Sequence, residues 1–115
     1  MNIILKIIIS AVVAFGLSYI LSGIHIQSFV TALILAAVLG LLNLIVKPLL
    51  IILTLPITIF TFGLFLFVIN ALIILIATNF VKGFRVDGFW WALLFSLLLS
   101  VLTSFLYRKS TENKS

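Results

Sequence analysis

From Ile3 to Tyr107 the chain is apolar almost throughout, and its polar interruptions are short and evenly placed. Two polar stretches, 22–28 and 81–88, each separate a pair of apolar runs; elsewhere charge falls at Lys6, at Lys47 and in a basic tail over 108–115. A hydrocarbon core of about 30 Å takes about 20 helical residues to cross, and in lipid the backbone must satisfy its own hydrogen bonds. The pattern therefore predicts a single all-α integral membrane domain with four transmembrane helices, spanning about residues 3–21, 29–46, 63–80 and 89–107. An inserted segment, 48–62, is left over.

Sliding the chain against itself by sixty residues sets Gly23 on Gly83, Phe29 on Phe89, Ala32 on Ala92 and Leu39 on Leu99. The four spans then read as two repeated helical hairpins, related by an axis along the membrane normal. Segment 48–62 has no counterpart in the first half, and it holds both prolines, Pro48 and Pro56. Pro48 disfavours a helical Lys47, so the second span is expected to end there, with Pro48 opening a new helix. Pro56 removes a further donor. Thr54, Thr58 and Thr61 then share a helical face, just ahead of Gly63. Two readings follow: a re-entrant or interfacial half-helix whose hydroxyls line a polar path, or a kinked start to the third span whose hydroxyls bond nearby carbonyls.

Composition sharpens the class. With 65% hydrophobic and 8% charged residues in 115, no soluble domain is expected. Residues 22–26 fit a signal-peptidase site poorly, so the first span is expected to stay uncleaved. No cysteine is present, which excludes a disulfide framework, a thiolate metal site and a thioether or palmitoyl anchor. The formal charge of +5 would suggest nucleic acid in a soluble chain. Here the basic residues flank apolar runs, so their expected partners are anionic lipid headgroups and not nucleic acid. With four spans, Lys6, Lys47, Arg108, Lys109 and Lys114 share one side, against Lys82 and Arg85 on the other. Basic residues stay on the cytoplasmic side, which puts both termini in the cytoplasm; a fifth crossing by 49–62 would nearly erase the bias. Tyr19, Trp90 and Trp91 are then expected at the outer interface and Tyr107 at the inner one.

Helices in lipid associate through small residues that permit close approach. Ridges at every fourth position are formed by Ser10, Ala14 and Ser18 on the first span, by Ala32, Ala36 and Gly40 on the second, and by Ala92, Ser96, Ser100 and Ser104 on the fourth. They can close a monomer or join subunits into a homo-oligomer, so Ser100→Ile is expected to weaken one or the other. Asn43, Lys47 and Asn70 form a candidate polar cluster: an amide in hydrocarbon is costly unless bonded. It reads either as a polar site near the mouth of a pathway or as an interhelical hydrogen bond with a snorkelling lysine. The acids Asp87 and Glu112 lie outside the spans, His25 stands alone, and no nucleophile has a base at useful spacing. No catalytic residue, metal site or cofactor is expected, and the chain does not read as an enzyme.

The run from Leu39 to Ala77, with N-x-x-x-K-P at Asn43, Lys47 and Pro48, then L-P-x-T at Leu55, Pro56 and Thr58, then Gly63 and Asn70, resembles the bacterial YvlD-like family, also called phage holin superfamily IV. The glycine- and aromatic-rich run from Gly83 to Leu93 extends the likeness to nearly the whole chain. The resemblance implies a small four-span protein of the bacterial cytoplasmic membrane and brings no catalytic residues. Three functions compete: an envelope-associated accessory or scaffold binding a membrane protein or lipid, an oligomeric holin-like pore, and a small-solute or lipid transporter built on the repeat. The uniformly apolar spans favour the first, because a water-filled lesion needs a polar face.

Overall fold

A computed structural model describes residues 2–112; Lys114, counted above among the cations, lies outside them. Helix α1 (Ile3–Ile20) starts at Asn2, whose side chain accepts from the Ile4 amide at 2.8 Å. Helix α2 (Phe29–Leu53) starts at Ser28, which accepts from Thr31 N at 3.2 Å. Each cap satisfies one of the amides that a helix start leaves unpaired. A short helix α3 (Leu55–Phe60), then α4 (Phe65–Phe80) and α5 (Phe89–Glu112), complete the helical part. By length and composition α1, α2 and α5 can each cross a membrane, while α4, with 16 residues, is apolar but shorter.

The helices form a ring. Helix α1 packs against α2 and α5, and α4 packs against the same two, whereas the backbones of the diagonal pairs α1–α4 and α2–α5 stay apart. The core runs up the middle of this ring. Ala11, Ala32, Ala71, Ala77 and Ala92 are fully buried and let the backbones approach around Phe95, Leu35, Ile69 and Ile73. The outward surface is apolar as well, as a lipid-facing bundle requires.

Several expected boundaries move. The second helix does not stop at Lys47: it continues through Pro48 for another turn and more, to Leu53. Proline removes its own donor and crowds the carbonyl four residues back, but ending the helix there would strand several carbonyls at once in apolar surroundings, so the helix absorbs one lost bond. Segment 48–62 is accordingly not one unit. Residues 48–53 belong to α2, Thr54 breaks the helix, and Pro56 sits in the first turn of α3, where its missing amide has no partner to lose. The third span begins at Phe65, beyond Gly63, and the fourth runs past Tyr107 to Glu112.

The turn from α3 into α4 reverses the chain. Gly63 N donates to Thr58 O at 2.8 Å and Phe62 N to Ile59 O at 3.1 Å, the bonding of a Schellman C-cap. Phe62 (φ 56°) and Gly63 (φ 86°) both lie in the left-handed region. Glycine takes that conformation freely, whereas phenylalanine holds it at a cost of about 1 kcal/mol or more.

The two polar connectors form something the hydropathy pattern did not predict. Strands β1 (Ile24–Ile26) and β2 (Phe84–Val86) pair antiparallel, Ile24 opposite Val86, His25 opposite Arg85 and Ile26 opposite Phe84. The ribbon closes with Gln27 N donating to Gly83 O and Asp87 N to Gly23 O, each at 2.9 Å. Those two bonds exchange under the sixty-residue shift. So do the helix-ending bonds from Leu21 N to Leu17 O and from Val81 N to Ala77 O. A Cβ on Gly23 would lie 2.2 Å from the Trp91 ring, and one on Gly83 would lie 2.6 Å from Gln27 Oε1 and 3.2 Å from Thr31 Oγ1. Each glycine thus seats a residue from the first turn of the other hairpin's second helix.

Candidate functional site

At the ribbon end the bundle is tight, and at the end carrying the termini it opens. The small-residue ridges record the change: Ala32 and Ala36 on α2 are buried, but Gly40 is exposed; Ala92 and Ser96 on α5 are buried, but Ser100 and Ser104 are exposed. On α1, Ala14 is buried, with Ser10 and Ser18 half-buried. The predicted ridges on α2 and α5 therefore pack the bundle over their first turns only.

Where the ridges emerge, α1, α2 and α5 enclose a groove of about 490 Å³. Its polar lining comes from Lys6, Ser10, Asn43, Ser100, Thr103 and Tyr107, and its floor from small residues such as Ala14, Ala36 and Gly40. Tyr107 ties its edge: the phenol oxygen shares a hydrogen bond with Ser10 Oγ and donates to Lys6 O at 3.1 Å, joining the end of α5 to the start of α1. Lys6 Nζ lies 6.0 Å from the centroid of the Tyr107 ring, within cation–π reach. Thr103 is satisfied inside its own helix, donating to Leu99 O at 2.6 Å. Asn43 is exposed in the groove, and its side chain has no hydrogen-bond partner among the described residues.

The candidate cluster Asn43–Lys47–Asn70 is not joined by hydrogen bonds. Asn43 lines the groove with α1 and α5, whereas Lys47 and Asn70, both half-buried, are not part of that lining. Sixty residues separate Ser10 from Asn70, and Lys47 from Tyr107. The Ser10–Tyr107 bond closes the α1–α5 seam, and no hydrogen bond between Asn70 and Lys47 answers it on the α2–α4 seam. Tyr107 and Lys6, the groove's anchors, were not singled out as site residues; their separation of 101 positions hides the contact from any local pattern.

The hydroxyl stripe on the inserted segment resolves differently. Thr54 Oγ1 donates to Leu50 O at 2.7 Å and Thr61 Oγ1 to Ile57 O at 3.0 Å. These hydroxyls are spent on their own backbone, and only the buried Thr58 Oγ1 lacks a partner. What α3 and its turn present outward is hydrocarbon: Phe60 is 87% and Phe62 96% exposed.

On the ribbon, His25 Nε2 lies 3.0 Å from Asp87 Oδ2, and Arg85 Nε lies 3.6 Å from Asp87 Oδ1. His25 and Arg85 also line a shallow cleft of about 680 Å³ with Gln27 and Tyr19. All three side chains are well exposed, so the pairs orient the ribbon surface and contribute little to stability. Among the described residues no three His, Cys, Asp or Glu side chains come together. Tyr19 and Trp90 stand exposed at this end, while Trp91 is half-buried against Gly23.

Compared with known sequences, residues 1–105 match a family model described as the mycobacterial 4 TMS phage holin, superfamily IV. The chain is 41% identical over 97 residues to the membrane protein YvlD of Bacillus subtilis (strain 168), an alignment covering 84% of this chain and 82% of that protein. It is also 41% identical over 81 residues to the protein SCO3922 of Streptomyces coelicolor, covering 67% and 65% of the two. No solved structure matches.

Proposed function

This chain belongs to the four-span phage holin superfamily IV family, and from that premise we propose that it is a non-conducting, non-enzymatic accessory or scaffold of the bacterial cytoplasmic membrane. The observation that carries this reading is the chemistry of the bundle interior. Its buried polar residues are Thr31, Ser96 and Thr103, and each hydroxyl is bonded close by: Thr31 to Ser28, Ser96 to Leu93 O and Thr103 to Leu99 O. Beside them stand Phe95, Leu35 and Ile69. A water column needs hydrogen-bonding groups along its length, and an apolar constriction sheds water. The threonines of 54–61 add little to a path, since two of the three are bonded to their own carbonyls.

The sixty-residue correspondence of the ribbon bonds supports the reading as a duplicated hairpin, in which both termini would lie on one side. The charge bias favours the cytoplasm as that side. The holin-like reading is kept by the family's own description and by the exposed stretch of each ridge, from Gly40 on α2 and Ser100 on α5, which leaves small residues free for subunit contacts. Release of graded-size dyes from liposomes separates the two. The scaffold reading expects tight vesicles at high protein density. Dye release that is lost in a folded Thr54, Thr58 and Thr61 to Val variant would instead establish a pore and its lining.

A further inference from the structure

The groove between α1, α2 and α5 combines three features that a plain seam between helices does not need. Lys6 stands at its mouth with no carboxylate in salt-bridge range among the described residues, and Asp87, whose carboxylate meets His25 and Arg85, belongs to the ribbon at the far end. Inside, the Asn43 amide has no partner among the described residues although its helix neighbours Leu41, Leu44 and Ile45 are exposed hydrocarbon. An unbonded amide at that depth is costly, and a ligand that accepts from it removes the cost. Finally, Gly40 leaves the floor empty: a Cβ built there meets no atom within 4 Å.

The geometry points to a binding site for one anionic phospholipid. Its phosphate pairs with Lys6 at the groove mouth, an ester carbonyl accepts from Asn43 Nδ2, and one acyl chain lies over Gly40 along Leu41 and Leu44. The sign of the headgroup follows from charge. The cations at this end, Lys6, Lys47, Arg108 and Lys109, have no ion pair among the described residues and outnumber the single acidic side chain of that end, Glu112, so the groove lies in a positive field that favours an anionic headgroup. A zwitterionic headgroup would bring an amine into the same field. Membrane anchoring alone requires only lysines snorkelling to any headgroup; the shaped groove and its unpaired amide add selection of a single molecule. The site stands whether the bundle is a scaffold or part of a pore, so dye release and lipid retention can fail separately.

The test is native mass spectrometry of the purified full chain in detergent with an equimolar mixture of dioleoyl phosphatidylglycerol and dioleoyl phosphatidylethanolamine. The native chain is expected to retain one phosphatidylglycerol, favoured about tenfold over the ethanolamine lipid, the scale of one charge-assisted contact. Gly40→Leu fills the floor and should abolish retention. Gly16→Leu adds the same bulk where a Cβ also meets nothing within 4 Å, but outside the groove lining, and should leave retention unchanged. Lys6→Gln should remove the preference for the anionic lipid, while Lys109→Gln, outside the groove lining, should keep it. Equal retention of both lipids by the native chain overturns the proposal, as does undiminished phosphatidylglycerol on a helical Gly40→Leu chain. A lipid-free dimer that Gly40→Leu dissociates also overturns it, by making a second copy the occupant. Should Gly40→Leu lose its helical circular dichroism, Lys6→Gln decides alone: an unchanged lipid preference rejects the site.

Discussion

The two ends of this bundle draw on the same small-residue ridges and behave oppositely. At the ribbon end Ala32 and Ala92 are fully buried, and backbone hydrogen bonds between β1 and β2 stitch the two hairpins together. Two turns further along the same ridges, Gly40 and Ser100 are exposed, and the α1–α5 seam is held by the hydroxyl of Tyr107. Small residues are therefore necessary for close approach and not sufficient for it. In lipid there is no hydrophobic force to draw helices together, so a ridge closes where something else brings the backbones into register, and the ribbon does this at one end only.

Gly23→Leu attacks the closed end most directly. Its Cβ would sit 2.2 Å from the Trp91 ring, so the ring must leave its seat, and a loss of about 3 kcal/mol is expected. Thermal unfolding in detergent, followed by helical circular dichroism, measures it; a melting temperature equal to the native one would reject the ribbon as the clamp. Next comes Ala92→Leu, which overfills a fully buried position and should cost about 1 to 3 kcal/mol in the same assay. Tyr107→Phe keeps the ring and removes the hydroxyl that reaches Ser10 and Lys6 O. The expected loss is about 0.6 to 1.7 kcal/mol, the range for interhelical hydrogen bonds in membranes; Ser10→Ala, and the two changes combined, would show whether both act on one bond.

The smallest effect is expected for Ser100→Ile. From the ridge alone it should weaken either the fold or an oligomer; with Ser100 exposed, the unfolding free energy of the monomer should stay within about 0.5 kcal/mol of native. Any large effect should appear in the oligomer size on gel filtration. A monomer destabilised as strongly as by Ala92→Leu would mean that the open end closes in the membrane, and the contrast between the ends would fall.

The legible part of this fold lay in periodic signals. The apolar runs located four helices, and the sixty-residue correspondence of Gly23 with Gly83 put the connectors in equivalent places. The strands within those connectors were missed because three residues each, Ile-His-Ile and Phe-Arg-Val, give too short an alternation to stand against the surrounding helix signal. Pro48 was misjudged for a different reason: the rule that proline ends a helix is a rule of water, where stranded carbonyls find other partners. The threonine spacing left two readings open, a polar path or hydroxyls bonded to nearby carbonyls, and only the structure shows Thr54 and Thr61 donating to Leu50 O and Ile57 O. Of the candidate polar residues, Asn43 reached the groove; Lys47 and Asn70 did not.

By itself the sequence determined membership of the membrane class, the rough extent of the four long helices, and the family, because hydropathy and motif spacing are properties of neighbouring residues. Only the tertiary structure decided that the connectors pair, that the ridges bury one end and expose the other, and that Lys6, Asn43 and Tyr107 meet around one groove. Those facts depend on contacts across tens of residues in a solvent that supplies no hydrophobic force, where a few hydrogen bonds and the fit of small side chains choose which seams close.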